Sequence, residues 1–270
     1  MKKTFQNKTV WITGASSGIG ETLVYAFINA GAKVIASARN EAELNRVKSQ
    51  CSLQENCHIS PLDLAANENF DNIAQSIFNK FGRIDYLINN GGISQRSTVL
   101  ETPLEIDRRI MEINFFGTIA LTKTVLPYML KQGGGHIAAT SSIAGKFGFF
   151  QRSAYSASKH ALHGFFESLR LEMLRSENRK QNIRVSMIVP GRVRTNISLN
   201  AIDGKGNAHG KMDEGQNKGI SPEKAARQIL CGLAKNRREI NVGGVELLML
   251  YFKRFLPRLH YLISKNISET

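Results

Sequence analysis

Six short apolar runs punctuate the chain at intervals of helical length: TVWIT (9–13), KVIAS (33–37), CHISPLD (57–63), DYLIN (85–89), HIAAT (136–140) and RVSMIV (184–189). A strand with one wet face alternates apolar with polar residues, whereas one covered on both faces is apolar almost throughout. These runs are of the second kind. They predict a parallel sheet, whose crossovers need a helix between successive strands. Helical patterns follow at about 18–30, 40–50, 67–81, 103–131, 153–177 and 221–235. The class that results is α/β, a doubly wound, mostly parallel sheet with helices on both faces. A chain of 270 residues suits one such domain over 1–270. Thr102, Pro103 and Glu105 resemble a capping box, and Ser221 with Pro222 repeats part of that signal.

The charge balance, 36 basic against 22 acidic residues, would suit an acidic partner. The basic residues are scattered (Lys33, Arg46, Lys80, Arg96, Lys123, Arg179), with no long run and no interleaved aromatic ladder, so no nucleic-acid partner is expected. Cys51, Cys57 and Cys231 are odd in number and lack metal-ligand spacing; they read as reduced packing residues with no metal, and the expected location is cytoplasmic. The start, MKKTFQNKTVWITG, has no apolar stretch of signal-peptide length, and no segment reaches the length of a membrane span. One segment, at about 192–220, is rich in Asn, Asp, Gly and Lys without periodicity; so long a loop in a compact domain is expected to be a mobile substrate lid.

The first strand runs directly into GASSGIGETL, which sets Gly14, Gly18 and Gly20 at a strand-to-helix turn. Glycines permit the tight turn and close backbone approach, and the exposed N–H groups at the positive helix end attract a pyrophosphate, as in a Rossmann-like dinucleotide fold. Ser16 and Ser17 are placed to add phosphate contacts. A structural turn alone would account for one or two of these glycines but not for the whole context.

The spacing Gly-x-x-x-Gly-x-Gly resembles that of the short-chain dehydrogenase/reductase family. Further motifs of that family follow in order over about residues 8–200: NNGG (89–92), with Gly91 where the family has alanine, Asn114 within a helix, SSIAG (141–145), YSASK (155–159) and the Pro190-Gly191 pair. The resemblance implies an oxidoreductase that interconverts an alcohol with a ketone or aldehyde, with Asn114, Ser142, Tyr155 and Lys159 as catalytic residues. It implies cofactor contacts from Gly14, Ser16, Ser17, Gly18, Ile19 and Gly20, from Asp63 on the adenine and Leu64 beside it, and from Asn90, Gly91, Tyr155, Lys159, Pro190, Gly191 and Thr195. It also implies a homodimer or homotetramer built on the helices at 103–131 and 153–177. YSASKHALHGFFESLRLEM is similar to the branch that includes dehydrogenase/reductase member 7 and the 11β-hydroxysteroid dehydrogenases, which implies a lipophilic small-molecule substrate.

Several residues also carry a reading of their own. Tyr155 and Lys159 are four apart on a helix and share a face, so an ammonium there is expected to lower the phenol's pKa and fit it for proton transfer. Ser156, Ala157 and Ser158 are small enough to let a cofactor lie close. An acid at the end of the second strand would repel a 2′-phosphate; this strand ends with Ala38 and Arg39, which favours NADP(H). Phe147, Phe149 and Phe150 would line an apolar substrate mouth or pack in the core. Arg192 stands where the family commonly has an apolar residue, next to a pyrophosphate or an anionic substrate group, or salt-bridged in a loop. The tail at about 245–270 mixes large apolar residues with Lys253, Arg254, Arg258 and Lys265, a pattern suited to peripheral membrane contact or to packing on the body or a partner subunit, with Pro257 breaking any single helix. Two non-enzymatic alternatives stand beside this reading, a redox sensor that binds NADP(H) without turnover and a peripheral membrane protein.

Overall fold

The structure, a computed structural model, describes residues 2–175 and 182–266. In chain order its elements are α1 (Lys2–Phe5), β1 (Thr9–Thr13), α2 (Gly18–Asn29), β2 (Lys33–Ser37), α3 (Glu41–Ser49), β3 (Cys57–Ile59), α4 (Phe70–Phe81), β4 (Tyr86–Asn89), α5 (Leu104–Met111), α6 (Gly117–Lys131), β5 (Gly135–Thr140), α7 (Ser153–Met173), β6 (Ile183–Pro190), α8 (Glu214–Asn217), α9 (Pro222–Ala234), β7 (Glu239–Val242), α10 (Leu248–Phe255) and α11 (Pro257–Asn266). The seven strands pair in the order β3-β2-β1-β4-β5-β6-β7, every pair parallel. The sheet is therefore the doubly wound one that the apolar runs predict.

Successive side chains of a strand point to opposite faces, and here each face has its own core. Val10, Ile12, Val34, Ala36, Ile88 and Ile188 pack with Leu23, Val24 and Phe27 of α2 and with Ile229 and Leu233 of α9. Their sequence neighbours Trp11, Ile35, Leu87 and Met187 pack on the other side with Ala74 and Ile77 of α4, Leu121 and Val125 of α6, and Leu162 and Phe166 of α7. Burial of each large apolar side chain stabilises the fold by about 1.5–3 kcal/mol. Trp11 is fully buried, and its indole N–H is satisfied by Ser37 Oγ at 2.8 Å.

The differences from the sequence pattern have local causes. The third run yields only Cys57–Ile59, an edge strand, beyond which the N–H groups of Ser60 and Leu62 still donate to the Ala36 and Ala38 carbonyls at 3.0 and 3.1 Å on either side of Pro61. β7 was not anticipated: its four residues are an edge strand, too short and too polar to stand out. The helix expected over 103–131 is two α-helices joined by a π-helical turn at Glu112–Phe116. Thr102 does not cap it. Its hydroxyl is turned to the Thr98 carbonyl at 2.6 Å, and the helix begins after Pro103 with no side-chain cap. Ser221 does cap α9, accepting from the Lys224 N–H at 3.2 Å, with Pro222 in the first turn. Pro257 likewise opens α11 and separates it from α10. Positions 176 and 177, at the end of the helical pattern expected over 153–177, lie outside the described residues.

Candidate functional site

A cavity of about 660 Å³ runs along the carboxyl ends of β1, β4, β5 and β6. In a doubly wound sheet this is the edge at which neighbouring crossovers part to opposite faces, between β1 and β4, and the loops leave a crevice there.

The glycine-rich turn forms its floor. Gly14 and Gly18 have φ of +64° and +58°, a conformation that L side chains rarely adopt. Gly20 does not line the cavity. A Cβ on it would lie 2.0 Å from the Gly14 carbonyl oxygen, so it is there to let α2 close on the turn. Ser16, Ser17, Gly18 and Ile19 face the cavity at the start of α2. The turn is held from behind by Arg46, whose guanidinium donates to the Ser16 carbonyl at 3.1 Å and pairs with Glu21 at 2.9 Å. That ion pair holds Glu21 below the usual carboxylate range. By sequence Arg46 looked like one more scattered surface cation; only the tertiary contact gives it a task.

On the other side of the floor, the Asn90 amide donates to the Thr13 and Gly14 carbonyls at 3.2 and 3.4 Å. The Thr13 hydroxyl accepts from the N–H groups of Asn90 and Gly91, at 3.1 and 3.0 Å. Gly91, which replaces the family's alanine, sits under Leu64: an added Cβ would approach Leu64 Cδ1 to 2.6 Å. Leu64 and Asp63 line the cavity together with Ala38 and Arg39. Arg39 is exposed and makes no ion pair among the described residues. Pro190, Gly191 and Thr195 line the opposite wall.

Ser142, Tyr155 and Lys159 line this same cavity, which brings three of the four expected catalytic residues together. Lys159 is 4% exposed and donates to the Thr140 carbonyl at 2.9 Å. With no carboxylate beside it, burial pulls its pKa down to about 8. Tyr155 is 5% exposed. Burial pushes its pKa up, against the pull of the Arg152 guanidinium and the Ser142 hydroxyl. The expected lowering by Lys159 is thus not what dominates: the ammonium lies 5.7 Å from the ring centroid and turns its hydrogen bond to Thr140. Ser156, Ala157 and Ser158 do not line the cavity. Ser158 is fully buried and accepts from the Asn114 amide at 3.0 Å, while Ala157 faces solvent.

Asn114 sits behind the cavity wall, fully buried, in the π-helical turn. Such turns insert one residue into a helix and redirect the side chains around it. Its Oδ1 accepts from the Ile93 N–H at 2.8 Å, and its Nδ2 donates to the Ile93 carbonyl at 2.9 Å and to Ser158. Both amide donors are spent on protein partners. It braces the loop after β4 against α7.

The irregular segment folds over the cavity, to which Val193, Asn196, Ile197, Asn200 and Gln216 contribute lining. Asp213, in this segment, pairs with Arg96 and with Arg152, the latter at 2.7 Å. Phe147, Phe149 and Phe150 do not line the cavity. Phe147 is buried against Phe149 and the His260 ring of α11, and Phe150 faces solvent. Arg192 does not line it either; its N–H donates to Glu246 and its guanidinium lies beside Gly215. Arg152 and Gln95 were not singled out by sequence, since neither belongs to a recognisable motif. Cys51 and Cys57 lie in the core, and all three cysteines are free. Among the described residues no group of three or more His, Cys, Asp or Glu side chains is placed to hold a metal ion, and no helix is long and apolar enough to cross a membrane.

A glycine-floored cavity at the switch point of a parallel sheet, with a buried Tyr and Lys at its wall, is the arrangement of a dinucleotide-dependent oxidoreductase. The chain belongs to the short-chain dehydrogenase family, whose pattern it matches over residues 8–205. Among named relatives it is 43% identical over 262 residues to the dehydrogenase/reductase SDR family protein 7-like of Drosophila melanogaster, covering 95% of this chain and 79% of that one. It is 39% identical over 266 residues to the dehydrogenase/reductase SDR family member 7B of Xenopus laevis, covering 96% and 81%. A short-chain dehydrogenase from Streptomyces avermitilis superposes with a TM-score of 0.78 at 27% identity over 96% of both chains.

Proposed function

We propose that the protein is an NADP(H)-dependent oxidoreductase that interconverts an alcohol with a ketone or aldehyde. The convergence of Ser142, Tyr155 and Lys159 at the wall of a cavity floored by the glycine-rich turn carries this reading. A dinucleotide fits what is there: the turn presents Gly14 and Gly18 without side chains to the cavity, Thr140 Oγ1 is buried without a partner among the described residues, and Lys159 uses one of its three donors. A bound nicotinamide supplies or accepts hydride. Tyr155 gives a proton to the substrate oxygen in reduction and removes it in oxidation, and Ser142 donates a hydrogen bond to the same oxygen. Lys159 holds the nicotinamide ribose and adds positive charge beside the phenol. Asn114 keeps the Ile93 loop and Ser158 in register, and its remaining Oδ1 lone pair is the side chain's one free position for a relay water. A lipophilic substrate is supported by Ile93, Val193 and Ile197 in the cavity wall. The covering segment acts as the lid, latched shut by Asp213 between Arg96 and Arg152.

The preference for NADP(H) rests on Arg39, a cation at the cavity with no ion pair among the described residues, and on Ala38 in place of an acid. A charge-assisted hydrogen bond to a 2′-phosphate is worth roughly 1.5–3 kcal/mol. Arg39→Asp is therefore expected to weaken NADPH binding about tenfold to a hundredfold while NADH binding holds or improves, as measured by titrating each nucleotide's fluorescence. Equal binding of both nucleotides by the wild type would remove the basis for the preference.

Two surfaces are read as contacts. Leu104, Phe116 and Leu171 are exposed on α5, at the π-helical turn and on α7, which supports a homodimer or homotetramer built on these helices. On α10 and α11, Leu248, Tyr251, Phe255, Leu259 and Leu262 are exposed beside Lys253, Arg254, Arg258 and Lys265, with no acidic residue from Leu247 to Asn266. Each basic residue near an anionic bilayer contributes about 1 kcal/mol, so this tail suits peripheral membrane contact. Light scattering is expected to give a dimer or tetramer in solution. Added phosphatidylserine vesicles should then bind the wild type, and the triple variant Lys253→Glu, Arg254→Glu, Arg258→Glu should stay free; equal binding by both, or by neither, would exclude the tail as a membrane contact.

A further inference from the structure

We propose that Gln95 is a positioning residue for Tyr155: reaching in from the loop after β4, its side-chain amide caps the helix that carries the phenol and so sets where the hydroxyl stands relative to Ser142. This rests on the reading of Tyr155 as the acid/base.

The first turn of any helix leaves N–H groups with no partner inside the helix. In α7 those groups belong to the residues around Tyr155, which is the third residue of the helix. The residue before the helix, Arg152, supplies no side-chain cap. Gln95 does so from outside. Its Oε1 accepts from the N–H of Ala154 at 2.9 Å and lies 3.4 Å from the N–H of Tyr155. Its Nε2 donates to Thr102 Oγ1 at 2.9 Å and lies 3.3 Å from Ser153 Oγ. The side chain is fully buried, so no water can replace either contact.

The backbone around Gln95 is strapped as firmly. The Arg96 N–H donates to the Ile202 carbonyl and the Ile202 N–H to the Ser94 carbonyl, both at 2.8 Å, while the Ser97 N–H reaches the Gln151 carbonyl just ahead of α7. The loop after β4 is thus tied to the covering segment through the backbone of Ser94 and Arg96, and to the N-terminus of the catalytic helix through the Gln95 amide. Asn114 fixes the same loop two residues earlier, at Ile93. A displacement of about 1 Å at a reacting group costs on the order of a hundredfold in rate, which is the leverage such a cap has.

The test compares Gln95→Glu and Gln95→Met with wild type and Tyr155→Phe, all saturated with NADP+. Tyrosines carry 13C at Cζ, and the resonance missing from Tyr155→Phe identifies Tyr155. Gln95→Glu keeps an acceptor at the helix N-terminus and adds a negative charge near a phenol that otherwise faces Arg152 on its own helix boundary, Lys159 one turn on, and the Arg96–Asp213 pair across from Arg152. The Tyr155 titration is expected to move upward by roughly one unit. Gln95→Met removes the cap at similar volume; its Tyr155 resonance should shift or broaden, and the turnover of 4-nitrobenzaldehyde should fall about tenfold to a hundredfold with NADPH affinity unchanged. A Tyr155 resonance that keeps its position and titration in both variants would overturn the proposal. Loss of NADPH affinity and of melting temperature in step with turnover would reduce Gln95 to a structural residue. The acid/base reading fails separately, if Tyr155→Phe retains turnover.

Discussion

Tyr155→Phe is expected to lower turnover about a thousandfold while leaving NADPH affinity within twofold. The substitution deletes one oxygen and keeps the ring, which is 5% exposed and packed in the wall. The fold therefore loses little, since the hydroxyl takes part in no hydrogen bond that holds α7 in place among the described residues. General acid–base catalysis contributes roughly a hundredfold to ten thousandfold, and without the phenol the carbonyl oxygen would have only the Ser142 hydroxyl to stabilise its charge. Cofactor affinity should survive because the glycine floor, Asn90 and Arg39 are untouched. The measurement is NADPH consumption on ketones and aldehydes together with nucleotide titration. Near wild-type turnover with normal binding would show that the proton comes from elsewhere.

Lys159→Met separates stability from activity. The ammonium is buried with one hydrogen bond, to the Thr140 carbonyl, and burial pulls its pKa from 10.5 to about 8. In the unfolded chain the same group keeps its proton up to about 10.4. Below pH 8 both states are protonated, and the folded state bears the full cost of a buried charge. Between about pH 8 and 10.5 the folded state releases the proton while the unfolded state still holds it, so stability rises with pH across that window. The size is on the order of 3 kcal/mol for a group this deeply buried. Methionine fills the space without the charge. The variant should therefore be more stable than wild type at pH 7 in the absence of cofactor, and the gap should close as pH rises from 8 to 10.5. Turnover should fall at least a hundredfold, since the ribose ligand and the charge beside the phenol are both gone. Denaturant melts at a series of pH values, taken as the difference between variant and wild type, measure the first effect. A difference independent of pH would mean that Lys159 titrates normally in the folded protein.

The parallel sheet and the glycine floor were legible without coordinates because each is written in contiguous residues. Two-sided burial makes the centres of β1 and β2 apolar, and a turn that approaches a phosphate backbone-first has to contain Gly14 and Gly18 close together. Tyr155 and Lys159 were legible for the same reason, one helical turn apart. The cap expected at Thr102 failed because its hydroxyl was taken by Thr98 and Gln95, partners that a local pattern does not include. Of the two readings left open for Phe147, Phe149 and Phe150, a substrate mouth or the core, the packing of Phe147 was decided by α11, which brings His260 onto it from more than a hundred residues away.

What local spacing and composition carried, then, was the parallel sheet, the glycine-rich floor and the shared face of Tyr155 and Lys159, since each follows from backbone geometry within a few residues. The charge environment of those two groups was decided only in three dimensions. Desolvation depends on everything packed around a side chain, which is why the phenol's pKa goes up rather than down and why Arg152, not Lys159, is the charge that opposes the shift. The supports of the site, Arg46 behind the glycine turn and Gln95 at the N-terminus of α7, join residues 30 and 59 positions apart. No periodicity records such contacts, because they exist only once two faces of a folded sheet have been closed.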